Sequence, residues 1–318
     1  MLDCFDMKVV LGETLAEEMR KDRDIVLVGA DLMGANGTWP LHKEFPDRVI
    51  NVGIAEANMV GVAAGLAACG KTAVCDTFAS FMSRRDYDQV FISAAYAGLN
   101  VKFIGSDPGV AAEMNGGTHM AFEDVALMRT IPTMTVFEPC DCTQLRKAVP
   151  AMLAAKNPVY LRLFRKKTQK IYDDDYSFAF GKADQLLDGS DATIIASGVM
   201  VWNALQAAEQ LANEGIHVRV LNMHTIKPID QQAILQAAQD TGAIVTAENS
   251  NYMNGLGSAV AEVLAEHEAY VPFLRIGVRD EFGEVGTMNY LMERFCLTPS
   301  DIAEKVRVCI QRKAKKSD

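Results

Sequence analysis

The sequence predicts an α/β protein made of two successive open, mainly parallel-sheet domains. Three observations carry that expectation. Short apolar runs alternate with segments of helical spacing from Val9 to Leu163; a charged, non-periodic stretch interrupts them; the alternation then resumes. Strands that alternate with helices build parallel sheets covered on both faces. With 318 residues the chain can bury two separate cores.

The elements are expected in this order. Val9–Arg20 has helical spacing, Asp24–Gly29 reads as a strand, and Met33–Pro40 is a loop rich in Gly and Asn. Val49–Val52 is a short strand. From Ala55 to Ala68 nearly every residue is small or apolar, which predicts a buried helix. Thr72–Asp76 is a strand, Arg84–Ala97 a helix, Val101–Gly105 a strand and Asp107–Gly117 a long loop with glycines. Phe122–Arg129 (helix), Thr133–Phe137 (strand), Cys142–Ala155 (helix) and Val159–Leu163 (strand) complete a domain spanning 1–167. Residues 168–190 are expected to be an exposed linker, because Lys166–Lys170 and Asp173–Asp175 are charged and lack a period.

A second domain is expected over 191–318. Its strands are Ala192–Ala196, Val218–Asn222 and Ala243–Glu248, and its helices Met200–Glu214, Asp230–Thr241, Leu256–Glu266 and Ser300–Arg312.

Composition removes several function classes. A net charge of -10, with only the short Lys313–Lys316 tail as a basic cluster, argues against a nucleic-acid surface; that tail reads as a solvated terminus. Seven cysteines without paired spacing beyond Cys140-Asp-Cys142 make a poor zinc site and read as reduced, mostly core thiols. No metal site is expected within this chain. Met1–Val10 lacks the features of a signal peptide, and no run of 18 apolar residues occurs, so a soluble cytoplasmic protein is expected. Gly29-Ala-Asp-Leu-Met-Gly34 and Gly255-Leu-Gly257 lack the full dinucleotide fingerprint and read as turns. No Ser stands in a Gly-x-Ser-x-Gly elbow.

Three stretches of the first domain stand at carboxyl ends of strands, where open parallel sheets bind ligands. They are Gly53-Ile-Ala-Glu56, the segment Asp76–Gln89 containing Phe78 and Phe81, and the segment Gly109–Asp124 containing His119. Glu56 opens the small-residue helix. It either faces water at the helix start or is held in a dry pocket to share a proton with a ligand. Two phenylalanines three apart beside a lone acid offer a slot for a flat heteroaromatic ring, although such a pair is also ordinary core.

The order and spacing of these stretches resemble the transketolase family of thiamine-diphosphate enzymes, specifically the C-terminal half of transketolase found as a separate subunit. The second domain extends the resemblance through Ser197-Gly-Val199, His224–Asp230, Glu248-Asn249, Gly255–Glu262 and Asp280–Gly286. The resemblance implies that the first domain binds the cofactor's aminopyrimidine and that the last domain mainly packs the assembly. It implies that Glu56 contacts a pyrimidine nitrogen, that Phe78 and Phe81 line the ring's pocket, and that Ile54 touches the cofactor. It also implies a nearby arginine: Arg84 in one register, Arg85 in the other. A carboxylic acid hydrogen-bonded to the pyrimidine shifts it to a tautomer whose own nitrogen serves as a base. The family's Gly-Asp-Gly…Asn motif, which holds the diphosphate and Mg²⁺, does not occur in this sequence. A partner subunit carrying that motif is therefore implied, in an α2β2 assembly.

By the same resemblance, Lys8 and Arg165 supply positive charge for a donor substrate, and His119 is a proton-transfer or hydroxyl-binding group. The positions of the usual phosphate Ser and His carry Ala35 and Asp107, and that of the sugar-contacting Asp carries Asn115. An Asp facing a phosphate dianion is repulsive, unless the loop is shifted so that Asp107 points away. The expected activity is two-carbon ketol transfer, with a donor that is unphosphorylated or carries a different terminal group. Alternatives are a relative that decarboxylates a 2-oxo acid, of the deoxyxylulose-phosphate-synthase or 2-oxoacid-dehydrogenase β type, and a non-catalytic regulatory subunit. The Gly117–Asp124 stretch and the separate half favour transketolase over the first; Glu56 and the Phe pair argue against the second.

Overall fold

The structure, a computed structural model, describes residues 6–317; Met1–Phe5 of the N-terminal segment lie outside the described residues. Six strands of the first domain, β1 (Ile25–Gly29), β2 (Val49–Asn51), β3 (Thr72–Phe78), β4 (Val101–Ser106), β5 (Thr135–Phe137) and β6 (Val159–Leu163), lie in the order 5-6-4-3-1-2 and are all parallel. Odd and even side chains of these strands enter different cores. Val74 and Ile104 pack with Leu11, Leu15, Leu145 and Met152 of α1 (Met7–Lys21) and α7 (Cys142–Ala154). Cys75 and Phe103 pack on the opposite face with Met59, Val60 and Ala63 of α4 (Glu56–Ala68) and Met128 of α6 (Asp124–Thr130). Burial on both faces explains why these strands are continuous apolar runs.

The second sheet contains β7 (Asp184–Leu187), β8 (Ala192–Ala196), β9 (Val218–Asn222), β11 (Ile244–Asn251) and β12 (Phe273–Val278), in the order 12-11-8-9-7. Only β7 runs antiparallel. Helices α8 (Met200–Ala212) and α12 (Pro299–Ser317) cover one face; α9 (Gln231–Thr241) and α10 (Leu256–Glu266) cover the other. The remaining strand, β10 (Thr225–Lys227), leaves this domain and pairs antiparallel with β5, extending the first sheet to seven strands. A polar network also crosses the joint. Arg162 is fully buried and binds Asp124 at 2.8 Å and Glu138 at 2.7 Å, while Ser197 of the second domain donates to Glu138 at 2.8 Å.

Several local expectations are corrected. The Met33–Pro40 loop instead contains α2 (Met33–Asn36) and the start of α3 (Trp39–Glu44), separated by Gly37 at φ 79. The helix expected over Arg84–Ala97 starts later and is π-helical over Gln89–Tyr96, while a separate helix, α5 (Ala79–Arg84), precedes it. The Asp107–Gly117 loop winds into a 3₁₀ segment, Gly109–Asn115. Strands β7 and β10 and helix α11 (Met288–Arg294) are hidden by shortness or by alternating burial at an edge, and the edge strand β12 by the interruptions Arg275 and Gly277 in its apolar run. The basic tail is the end of α12, and Lys313 reaches Thr241 O at 2.7 Å rather than standing free in water. Cys75, Cys140 and Cys309 are buried, whereas Cys69 and Cys296 are exposed. No helix among the described residues is long and apolar enough to cross a membrane.

Candidate active site

Parallel register brings three strand ends to one level: Phe78 of β3 lies opposite Ser106 of β4, which lies opposite Leu163 of β6. The residues just beyond these ends form a continuous wall. Glu56 begins α4, where the helix N-terminus favours a carboxylate, and is only 4% exposed. Arg85 Nη1 donates to Glu56 Oε1 at 2.8 Å, and the same guanidinium lies 3.9 Å above the Phe81 ring. Phe81 and Phe78 are tilted neighbours, 5.7 Å apart. His119 presents its ring edge to both, at 5.2 Å and 6.1 Å. Its Nδ1 lies 3.0 Å from Thr118 Oγ1. Two residues before Glu56, Ile54 is 76% exposed and has no apolar cover.

The structure separates the two arginines that the sequence left open. Arg84, expected at the cofactor, turns away: it pairs with the Glu123 carboxylate and donates to Thr118 O at 3.0 Å and Met120 O at 2.6 Å. It thereby ties down the loop that carries His119. Arg85 is the one beside Glu56, because the turn after α5 places successive side chains on different sides.

A second cluster lies beyond Phe78. Asp107 follows β4 in the left-handed region (φ 52) and is 2% exposed. Arg165 Nε donates to Asp107 Oδ2 at 2.6 Å, its Nη1 donates to Ala35 O at 2.7 Å, and its guanidinium carbon is 5.2 Å from the Phe78 ring centre. Burial pushes the Asp107 carboxyl up, and the Arg165 charge pulls it back. Asp107 therefore points into the cluster, against Arg165, and most of the guanidinium is engaged. Lys8 is half-buried, and its backbone N–H donates to Arg165 O at 3.0 Å. No ion pair of its ammonium is found among the described residues. Asn115 is exposed at the end of the 3₁₀ segment and is not drawn into the cluster.

Sequence reasoning missed Asp76. It sits under this cluster, 1% exposed, and accepts hydrogen bonds from Asn36 Nδ2 at 2.7 Å and Thr38 Oγ1 at 3.0 Å. Asn36 Oδ1 in turn accepts from Ser106 Oγ at 2.8 Å, which locks α2 and its Ala35 against the strand ends. Burial raises Asp76 to about 7, with Thr38, Asn36 and Arg165 opposing that rise. The available signal was an acid ending an apolar strand. Asp86 was also missed: it is fully buried, neither carboxylate oxygen has another residue as partner among the described residues, and burial together with the Glu56 charge pushes it well up.

Residues 4–170 match the transketolase pyrimidine-binding domain, and residues 181–302 match the transketolase C-terminal domain. The chain is 53% identical over 301 residues to the 6-deoxy-6-sulfo-D-fructose transketolase subunit SqwH of Clostridium sp. (strain MSTE9), covering 95% of this chain and 93% of that one. It is 43% identical over 293 residues to an apulose-4-phosphate transketolase subunit of Phocaeicola vulgatus, covering 92% and 93%. A solved structure described as a split gene transketolase, inactive beta4 tetramer, superposes with a TM-score of 0.89 at 39% identity, covering 98% of this chain and all of that one.

Proposed function

The chain belongs to the transketolase family, and from that premise we propose that it is the pyrimidine-side subunit of a split transketolase whose donor ketol ends in a sulfonate. The partner is an N-terminal-half subunit that holds the cofactor's diphosphate and Mg²⁺, and two copies of each chain form a cytoplasmic α2β2 enzyme. Exposed Ile54, Ile92 and Tyr96, at 76%, 51% and 83%, supply apolar surface near the site for such a partner to cover.

The residues present fit thiamine diphosphate. The buried Glu56 carboxyl, joined through Arg85 to the Phe81 ring and its neighbour Phe78, suits a flat ring with one nitrogen to be held. When bound, the cofactor supplies the nucleophilic carbon that takes up and releases a two-carbon unit. Glu56 shares a proton with the pyrimidine nitrogen, and Arg85 holds the Glu56 carboxyl in place. Phe78 and Phe81 exclude water from the ring and fix its plane. His119, braced by Thr118, holds or moves a proton at a donor hydroxyl.

The Arg165–Asp107 pair carries the substrate reading. A phosphate monoester brings about two negative charges at neutral pH, whereas a sulfonate brings one. At an effective dielectric of about 20, each unit of charge roughly 6 Å from Asp107 costs about 3 kcal/mol. Arg165 and Lys166 are set against Asp107 and Glu113, with buried Asp76 beneath, so the cluster carries little net positive charge and suits a monoanion better than a dianion. Ala35 offers no hydroxyl to a phosphate oxygen. The donor named for the 53% identical relative, 6-deoxy-6-sulfo-D-fructose, has this character.

Reconstitution with the N-terminal-half subunit tests the reading. It requires two-carbon transfer from a ketol to an aldehyde that depends on both chains, thiamine diphosphate and Mg²⁺. Absence of transfer from every ketol donor, or equal transfer by this chain alone, would overturn it.

A further inference from the structure

The Glu248-Asn249 pair of the second domain has no part in the chemistry above. Glu248 accepts from Leu256 N and Gly257 N, both at 2.8 Å, and so caps α10. Asn249, 1% exposed, faces the other way. Its Nδ2 donates to Pro108 O at 3.1 Å, and its Oδ1 accepts from Val110 N at 3.0 Å. Both partners belong to the loop that leaves β4 immediately after Asp107. A backbone C=O and an N–H two residues later require one donor and one acceptor on the same short side chain, which only a carboxamide supplies at this length.

The fit is close. Gly109, between the two contacts, is at φ 58, and a Cβ there would lie 2.3 Å from Asn249 O. Asn249 O itself accepts from the buried Arg162 at 2.7 Å. At the loop's other end Asn251 N donates to Phe122 O at 2.8 Å, and Gly109 N donates to Ala121 O at 3.0 Å. The segment bearing Asp107, Asn115 and His119 is thus fastened at both ends to β11 of the second domain.

We propose that Asn249 is a positioning residue: it clamps Pro108-Gly109-Val110 so that Asp107 meets Arg165, and the second domain thereby sets donor discrimination. The clamp stands on this geometry alone; its effect on donor choice rests on the reading of the loop as donor-binding. Asp107, at φ 52, immediately precedes the clamped Pro108, so the clamp acts one residue from the Arg165 pair.

Two variants test it from opposite sides. Asn249→Asp is isosteric but turns an acceptor toward Pro108 O, and Gly109→Ala pushes the loop off Asn249 without altering the second domain. In the full chain, hydrogen exchange of peptides covering 107–121 should quicken about tenfold or more in both variants, as expected for the loss of a buried hydrogen bond, while peptides of α10 and β8 exchange as in wild type. In the reconstituted enzyme, donor kcat/KM should fall mainly through KM, and the preference between sulfonated and phosphorylated donors should shrink. Proton exchange at the cofactor's C2 should be unchanged. Wild-type exchange in the loop, or equal acceleration throughout the second domain, would overturn the clamp. A loosened loop with unaltered donor preference would overturn its role in discrimination. If the wild-type enzyme transferred no ketol at all, the functional reading would fail, while the loop exchange would still judge the clamp.

Discussion

Arg85 holds Glu56 at 2.8 Å while stacking on Phe81, so one side chain joins the acid to the aromatic wall. Arg84, its neighbour, serves the His119 loop instead. The two should therefore fail differently. Arg85→Ala is expected to weaken apparent cofactor affinity about five- to tenfold, modest because the Arg85 side chain is 48% exposed. Arg84→Ala should leave cofactor affinity intact and raise donor KM. Cofactor and donor titrations of both variants with the partner present decide this, and matching phenotypes would sink the distinction.

Glu56→Gln should keep the fold and the subunit contact and lower kcat by about 10²–10⁴-fold, the usual loss of acid–base assistance. Exchange of the cofactor's C2 proton should slow in parallel. Normal exchange in this variant would assign the proton to another group.

Asp76 gives a pH signature. Its folded value of about 7 lies above the unfolded value near 3.9, so between them the folded state binds more protons. Its contribution makes stability fall as pH rises from about 4 to about 7 and level off above that. Burial lowers His224 to about 4, and its contribution runs the opposite way up to its unfolded value near 6.5. The difference between wild type and Asp76→Asn therefore isolates Asp76. Denaturant titrations should show the variant gaining on wild type between pH 5 and pH 8; a pH-independent difference would mean that Asp76 is ionised throughout.

Both sheets are legible in the sequence because their central strands are apolar runs between helical periods. The grouping of Glu56 with Phe78 and Phe81 is legible too, since they stand at or just beyond the ends of β2 and β3, which are successive along the chain. What is not legible depends on contacts between distant residues. The break after Arg84 decides which arginine meets Glu56, and no local pattern marks it. Asp107 could be placed in the site but not paired with Arg165, 58 residues away. Asn249 meets Pro108 from 141 residues away. The three-residue β10 is too short for a periodic signal, yet it carries the second domain's chain into the first sheet.

Without a Gly-Asp-Gly…Asn motif, this chain alone is expected to bind thiamine diphosphate negligibly, and addition of the N-terminal-half subunit should restore Mg²⁺-dependent binding. Calorimetry on the isolated chain checks this. Micromolar binding by the isolated chain would contradict the division of labour between the subunits.

The donor's charged end is the most direct test of the account. With Asp107 and Ala35 set around Arg165 as the proposed donor site, matched ketol donors differing only in a terminal sulfonate or phosphate should be distinguished. The measurement is kcat/KM for the two donors in the reconstituted enzyme, repeated with Ala35→Ser combined with Asp107→His. Wild type should prefer the sulfonated donor by about tenfold or more, equivalent to about 1.4 kcal/mol, and the double variant should shift toward the phosphorylated one. A wild-type preference of tenfold or more for the phosphorylated donor would contradict it.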